Sequence, residues 1–120
     1  MPSKDDKILV VDDLKEVLTI TADIVKSGGY TNIIAFSDSV KAKEYLLANE
    51  IDVLVTDIQM PVVGGAELID IAFQQKVPRL IAVSGSICDG DSMHEALSNL
   101  GAAVISKPFK AEVLLNAIAG

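Results

Sequence analysis

Cysteine and histidine are nearly absent from this 120-residue sequence, which contains one of each, Cys88 and His94. A single cysteine excludes an internal disulfide and is consistent with a reducing compartment. One cysteine and one histidine also provide too few ligands for an ordinary zinc site. We therefore expect neither a disulfide framework nor a zinc centre.

Long apolar runs and excess positive charge are missing too. The first apolar stretch, residues 8–11, is too short for a signal-peptide core, and no run approaches the length of a membrane span. Ten Lys and Arg face 17 Asp and Glu, which gives a formal charge of -7 that repels phosphate backbones. We expect a cytoplasmic protein with no membrane and no direct nucleic-acid partner.

The remaining composition is that of a folded domain. Half of the residues are hydrophobic and 22% are charged, a balance that disfavours disorder. Because residues 1–6 are mostly polar, we expect a flexible tail there and one domain over residues 7–120.

Four short apolar runs end in polar or charged side chains. Residues 8–11, 51–56, 80–83 and 102–105 lead into Asp12 and Asp13, into Asp57, into Ser84, and, through Ser106, into Lys107. Apolar runs without polar alternation are typical of parallel strands covered on both faces. Since the carboxyl ends of parallel strands meet at one edge of a sheet, we expect three acids, a hydroxyl and an ammonium to converge.

A further strand and five helical patterns complete the chain. The strand is predicted at residues 33–36, and the helices near residues 14–25, 40–47, 66–75, 93–100 and 110–119. This alternation predicts an α/β fold: a doubly wound, five-stranded parallel sheet in the flavodoxin-like order 2-1-3-4-5, with helices on both faces.

Helical spacing also predicts which side chains form the apolar faces of three helices. The second helix is marked by the pairs Val40 with Leu47 and Ala42 with Leu46; the third has Leu68, Ile69 and either Ala72 or Phe73 inward; the last has Val113, Leu114, Ala117 and Ile118 inward. An acid or hydroxyl among residues 37–39 is expected to cap the second helix.

The acid cluster predicts a magnesium-dependent phosphoryl site. Three neighbouring carboxylates repel one another, and Mg²⁺ prefers carboxylate, water and phosphate oxygens. Asp57 is the best nucleophile because it ends the central strand, with Asp12 and Asp13 as metal ligands. Ser84 and Lys107 would bind the phosphoryl group. Because Lys107 must point into the site while the chain turns away, the Lys107–Pro108 peptide is predicted to be cis.

Over residues 7–119 the sequence closely resembles the receiver domains of two-component response regulators, in particular the chemotaxis-regulator type. The matching motifs are Asp12-Asp13, the segment from Asp57 to Pro61 with Gly65 beyond it, Ser84-Gly85, and Lys107-Pro108-Phe109.

The resemblance implies a phosphoacceptor signalling domain rather than an enzyme. Asp57 would accept a phosphoryl group from a sensor histidine kinase or phosphotransfer protein, and the chain would then switch conformation for an unidentified downstream effector. Asp13, Asp57 and the Gln59 carbonyl would hold Mg²⁺, with Asp12 acting through water. Ser84, Gly85 and Lys107 would surround the phosphoryl group.

One position departs from the family pattern. Three residues before Lys107, many receivers carry an aromatic partner of the switch hydroxyl, and this sequence has Val104. A weaker coupling between the site and the last helix is therefore expected.

Three other functions remain open at this point. An aspartate-nucleophile phosphatase of the haloacid dehalogenase type usually carries its nucleophile on the first strand and a second Asp two residues later, where this sequence has Gln59. A flavin-binding module needs a phosphate loop after the first strand, where an acid pair stands. A pseudo-receiver scaffold would not need the intact acceptor set.

Overall fold

A computed structural model describes residues 4–85 and 92–120. Its five strands are β1 (Ile8–Val11), β2 (Ile33–Phe36), β3 (Val53–Asp57), β4 (Arg79–Ser84) and β5 (Ala103–Ser106). Its five helices are α1 (Lys15–Ser27), α2 (Ser39–Ala48), α3 (Gly65–Gln74), α4 (Ser92–Asn99) and α5 (Ala111–Ala119). Strands and helices alternate along the chain, as predicted.

The strands form one parallel sheet in the order β2-β1-β3-β4-β5. Every residue of β1 and β3 is buried, because these central strands are covered on both faces. The predicted fold class and strand order are confirmed. The adjacency of β1 and β3 brings the segments that follow them to the same edge of the sheet.

Two apolar cores lie between the sheet and its helices, one on each face of the sheet. Side chains of α2, α3 and α4 pack on one face, with Leu46, Leu68 and Leu97 almost fully buried. Side chains of α1 and α5 pack on the other face, with Val25, Leu114 and Ile118 buried. Successive strand residues point to opposite faces, so each strand contributes to both cores.

Helix α2 begins as predicted, but one of its expected apolar pairs is exposed. The Asp38 carboxylate accepts hydrogen bonds from the Val40 and Lys41 amides at 2.9 and 3.3 Å, so it is the N-cap. The buried stripe contains Ala42 and Leu46 and begins at Ser39. Val40 and Leu47 are 40% and 56% exposed, because they lie about 100° further round the helix than the stripe that meets the core.

The faces of α3 and α5 need smaller corrections. Of the two residues predicted as alternatives in α3, Ala72 points inward and is buried, whereas Phe73 is 45% exposed. In α5, Leu114 and Ile118 form the buried pair one turn apart, whereas Val113 is 44% exposed and was wrongly predicted to point inward. Phe73 and Val113 each adjoin a buried residue in the sequence, so each lies about 100° round the helix from the side that meets the core.

The segment before β1 touches the domain at Lys4. Its ammonium donates to the Gly28 carbonyl at 2.6 Å and lies 4.3 Å from the centre of the Tyr30 ring. Residues 1–3 lie outside the described residues, and the domain boundary at residue 7 stays a prediction. Within the described ranges, no helix is long and apolar enough to cross a membrane.

Candidate functional site

Three carboxylates meet at the carboxyl edge of β1 and β3. Asp12 and Asp13 directly follow β1, and Asp57 is the last residue of β3. One oxygen atom from each lies within 4.8 Å of the other two, a spacing that a single metal ion can bridge. The convergence predicted from the separate motifs is present in the fold.

Two of these acids are removed from solvent. Asp12 is 4% exposed and Asp57 is 8% exposed, whereas Asp13 is half-buried. One Asp12 oxygen accepts a hydrogen bond from the Leu14 amide at 3.0 Å, which fixes the turn into α1. The acid cluster is therefore a partly enclosed pocket of negative charge with its opening beside Asp13.

Burial raises the pKa of Asp57 above its usual value. The nearby Lys107 ammonium lowers it, the Asp12 carboxylate raises it, and the neighbouring Gln59 and Ile58 backbone amides lower it. The net direction is upward because desolvation disfavours the ionised form most strongly. A cation bound at the cluster would oppose this effect.

Lys107 supplies positive charge from the end of β5. Its Nζ donates to Asp12 Oδ2 at 3.1 Å and lies 3.5 Å from Asp57 Oδ2. The Lys107 amide donates to the Ser84 carbonyl at 2.9 Å, which continues the β4–β5 pairing past Ser106. The Lys107–Pro108 peptide is cis, as predicted.

Ser84 lies at the same edge, at the end of β4. In the sheet register Asp57 pairs with Val83, so Ser84 stands one residue further toward the carboxyl edge. Ser84 is 1% exposed, and Gly85, which follows it, is exposed. The segment that joins β4 to α4, residues 86–91, lies outside the described residues.

Gly65 holds the first turn of α3 against the end of β3. Its amide donates to the Ile58 carbonyl at 2.9 Å. A Cβ at this position would lie 2.0 Å from the Asp57 carbonyl oxygen and 2.7 Å from Ile58 Cα. Glycine is therefore required because two backbones approach closely, a reason that the motif spacing alone did not reveal.

Sequence reasoning missed Ser39 and Val62, which shape the loop between β3 and α3. Ser39, at the start of α2, is 5% exposed; its hydroxyl donates to the Pro61 carbonyl at 2.9 Å and accepts from the Val63 amide at 3.3 Å. Val62 has a φ of 68° and is 88% exposed. A Ser at a helix start ordinarily suggests a cap, and only the fold shows contacts 22 and 24 residues away.

Residues 8–119 of the sequence match the family model of the response regulator receiver domain. The chain belongs to the response regulator receiver domain family. Its acid cluster, its strand-end lysine and its sheet order thus belong to a receiver domain, the fold and family that the motifs predicted.

Two curated relatives and one solved structure illustrate the similarity. The receiver domain is 29% identical over 110 residues to chemotaxis protein CheY of Pseudomonas aeruginosa, covering 90% of this chain and 89% of the relative. It is 31% identical over 104 residues to a protein-glutamate methylesterase/protein-glutamine glutaminase of Thermotoga maritima, covering 85% of this chain. That match spans only 30% of the relative's length.

The solved structure is the receiver domain of a sensor histidine kinase from Pseudomonas aeruginosa, with a magnesium ion coordinated in its active site cleft. It superposes with a TM-score of 0.78 at 23% identity, and covers 95% of this chain and 94% of the other. At this identity the likeness concerns the fold.

Proposed function

We propose that this receiver domain accepts a phosphoryl group on Asp57 and transmits the event as a change of conformation. The observation that carries the proposal is the position of Asp57: it ends the central strand, faces two further carboxylates and lies 3.5 Å from the Lys107 ammonium. Nucleophile, cation and acid cluster thus share one pocket, which is the set of groups that phosphoryl transfer to a carboxylate needs.

The donor set fits Mg²⁺ as the cofactor. The cluster offers three hard oxygen ligands that lie within 4.8 Å of one another, from Asp12, Asp13 and Asp57. In the absence of a cation, burial disfavours the ionised form of Asp57. Asp13, Asp57 and the Gln59 carbonyl would hold the ion, and Asp12 would act through water. When bound, Mg²⁺ supplies positive charge that offsets the acids and the incoming phosphoryl oxygens.

The reaction follows from this geometry. An Asp57 carboxylate oxygen attacks the phosphorus atom of a phosphohistidine, the P–N bond breaks, and its electron pair remains on the donor imidazole. The product is an acyl phosphate on Asp57. The Lys107 ammonium, now paired with Asp12 and Asp57, would contact a phosphoryl oxygen, and the Ser84 hydroxyl with the Gly85 amide would bind another. Attack by water later releases phosphate and restores the carboxylate.

The partners follow from the family and from the charge. Receiver domains take their phosphoryl groups from histidine kinases, and this chain would use a sensor kinase or a phosphotransfer protein as donor. We propose that the exchange takes place in the cytoplasm, a reducing compartment with which a single cysteine is consistent. A formal charge of -7 disfavours nucleic acid and anionic membrane surfaces as direct partners. The domain would act as a phosphoacceptor and not as an enzyme with an independent substrate.

Incubation with acetyl phosphate tests the proposal without knowledge of the donor. Intact-mass spectrometry should show one added phosphoryl group that depends on Mg²⁺, and Asp57→Asn should abolish it. Asp70→Asn, which removes an exposed acid from α3, is the matched control and should be modified like the wild type. A phosphoryl group mapped to another residue would overturn the assignment, and sustained turnover of a phosphate ester would identify a phosphatase instead.

A further inference from the structure

The loop between β3 and α3 contains a strained turn at Val62. The Val63 amide donates to the Pro61 carbonyl at 2.9 Å, so the hydrogen bond spans a single central residue. That central residue, Val62, has a φ of 68°. A γ-turn with positive φ is the rarer and strained form, and a β-branched residue is especially unfavourable there. With 88% of its surface exposed, Val62 gains little from packing that would offset the strain.

The Ser39 hydroxyl bridges both ends of this turn. It donates to the Pro61 carbonyl at 2.9 Å and accepts from the Val63 amide at 3.3 Å, and it is buried between α2 and the loop. The cap of α2 is the neighbouring Asp38, so the Ser39 hydroxyl is not needed to start that helix. Its two contacts serve the loop.

The loop in turn shapes the site. The Ile58 amide donates to the Val83 carbonyl at 3.1 Å, and the Ile58 carbonyl accepts from the Gly65 amide at 2.9 Å. A segment of eight residues thus runs from the acceptor to the first turn of α3, with the strained turn in its middle. Because Ile58 is held at one end and Gly65 at the other, relaxation of the turn would move the Gln59 carbonyl between them relative to Asp57.

We propose that Ser39 is a positioning residue that holds the loop after Asp57 in its metal-binding shape against the strain at Val62. This inference rests on the proposed function, because the shape matters only if Asp57 and the Gln59 carbonyl bind Mg²⁺. A residue keeps an unfavourable backbone conformation only where surrounding contacts hold it there. Such residues are frequent at functional sites. Among the described residues, the side-chain hydrogen bonds to this turn come from one buried hydroxyl, that of Ser39.

Ser39→Ala tests the inference through metal affinity. Losing the two hydrogen bonds of the Ser39 hydroxyl, each worth about a factor of five, would leave the binding-competent loop in a minority of molecules, which raises the apparent Kd for Mg²⁺ about five- to tenfold. The Kd is measured by titration of amide chemical shifts, and hydrogen exchange of the Val63 amide is measured in parallel without metal. Exchange at Val63 should accelerate by a similar factor.

Three further variants separate positioning from general destabilisation. Ser39→Thr keeps a hydroxyl and should restore the Kd to within about twofold of the wild type. Val62→Gly removes the strain, because glycine adopts positive φ without steric cost, and should restore the Kd in the Ser39→Ala background while changing the wild type little. Ser27→Ala removes an exposed hydroxyl that bonds the Ile24 carbonyl, and should leave both readouts unchanged.

The outcomes are distinct from those of the phosphorylation test. If wild type is phosphorylated on Asp57 but Ser39→Ala binds Mg²⁺ normally, the positioning role is wrong and the proposed function stands. A weakened Kd that neither Ser39→Thr nor Val62→Gly restores also overturns it. Should Ser39→Ala fail to fold, Ser39→Cys replaces it, since a thiol is a weak hydrogen-bond donor.

Discussion

Substitution of Gly65 by alanine probes the contact on which the position of the acceptor depends. The added Cβ would lie 2.0 Å from the Asp57 carbonyl oxygen, about 1 Å short of the 3.0 Å below which real Cβ contacts are essentially not found. The carbonyl has little room to retreat, because it already accepts a hydrogen bond from the Thr56 hydroxyl at 2.8 Å. The chain must therefore separate α3 from the end of β3.

Two effects of opposite sign determine how much Gly65→Ala changes the free energy of unfolding. Alanine is better than glycine inside a helix by up to about 1 kcal/mol, which would stabilise α3. Overpacking against surroundings that cannot move costs about 1–3 kcal/mol or more, and here the atoms in the way are backbone. We expect the steric cost to prevail, with a net loss of about 2 kcal/mol and a fall in Tm of roughly 8 °C for a domain of this size.

Circular dichroism of the helices is the suitable assay, because the chain has no tryptophan for fluorescence. Gly64→Ala is the matched control: its Cβ would lie 3.5 Å from the Ile58 carbonyl oxygen, an ordinary contact, so its Tm should fall by no more than about 3 °C. Equal Tm values for Gly65→Ala and the wild type, or equal losses for both variants, would refute the proposed close contact.

Two predictions concern the acceptor and its readout. Because burial raises the pKa of Asp57, this carboxyl favours the folded state most below its usual value of 3.8, and that contribution is lost as pH rises through its folded pKa. Asp57→Asn should therefore raise Tm at neutral pH without metal and abolish the Mg²⁺-induced rise; a lower Tm, or an undiminished response to Mg²⁺, would contradict the burial argument. For the readout, bonds to a charged phosphoryl group supply about 1.5–3 kcal/mol each, and a full switch needs about 5.5 kcal/mol, so Val104, short and stiff at χ1, leaves little surplus for coupling to the last helix. Beryllofluoride should shift amide signals strongly near Ser84 and in residues 85–100 but weakly in residues 110–119; equally large shifts throughout the last helix would refute the weaker coupling.

The architecture was predictable because its signals are local. Each buried strand is a short run of apolar residues, and each of the first three runs ends in the side chain that reaches the site, Asp12, Asp57 or Ser84. Parallel strands align their carboxyl ends, so the convergence of these groups followed from the order of the motifs. The same reasoning located Lys107 at the site and predicted its cis peptide bond with Pro108.

The helix faces were less predictable, because periodicity identifies an apolar stripe without measuring its width. Val40, Leu47 and Val113 are as apolar as the residues beside them, yet they are exposed. How much of a helix is covered depends on the distance and angle at which it packs on the sheet. Those quantities depend on all of the elements together.

The strand order, the acid cluster and the family could be inferred without the fold, because each is encoded in short segments whose residue types and order suffice. The contacts that set the shape of the site, by contrast, are visible only in the folded domain. Ser39 holds a loop 22 residues further along the chain, and Gly65 lies so close to the Asp57 carbonyl that no Cβ fits between them. Such contacts depend on the relative placement of distant segments, which arises from the packing of the whole domain and leaves no pattern in either segment alone.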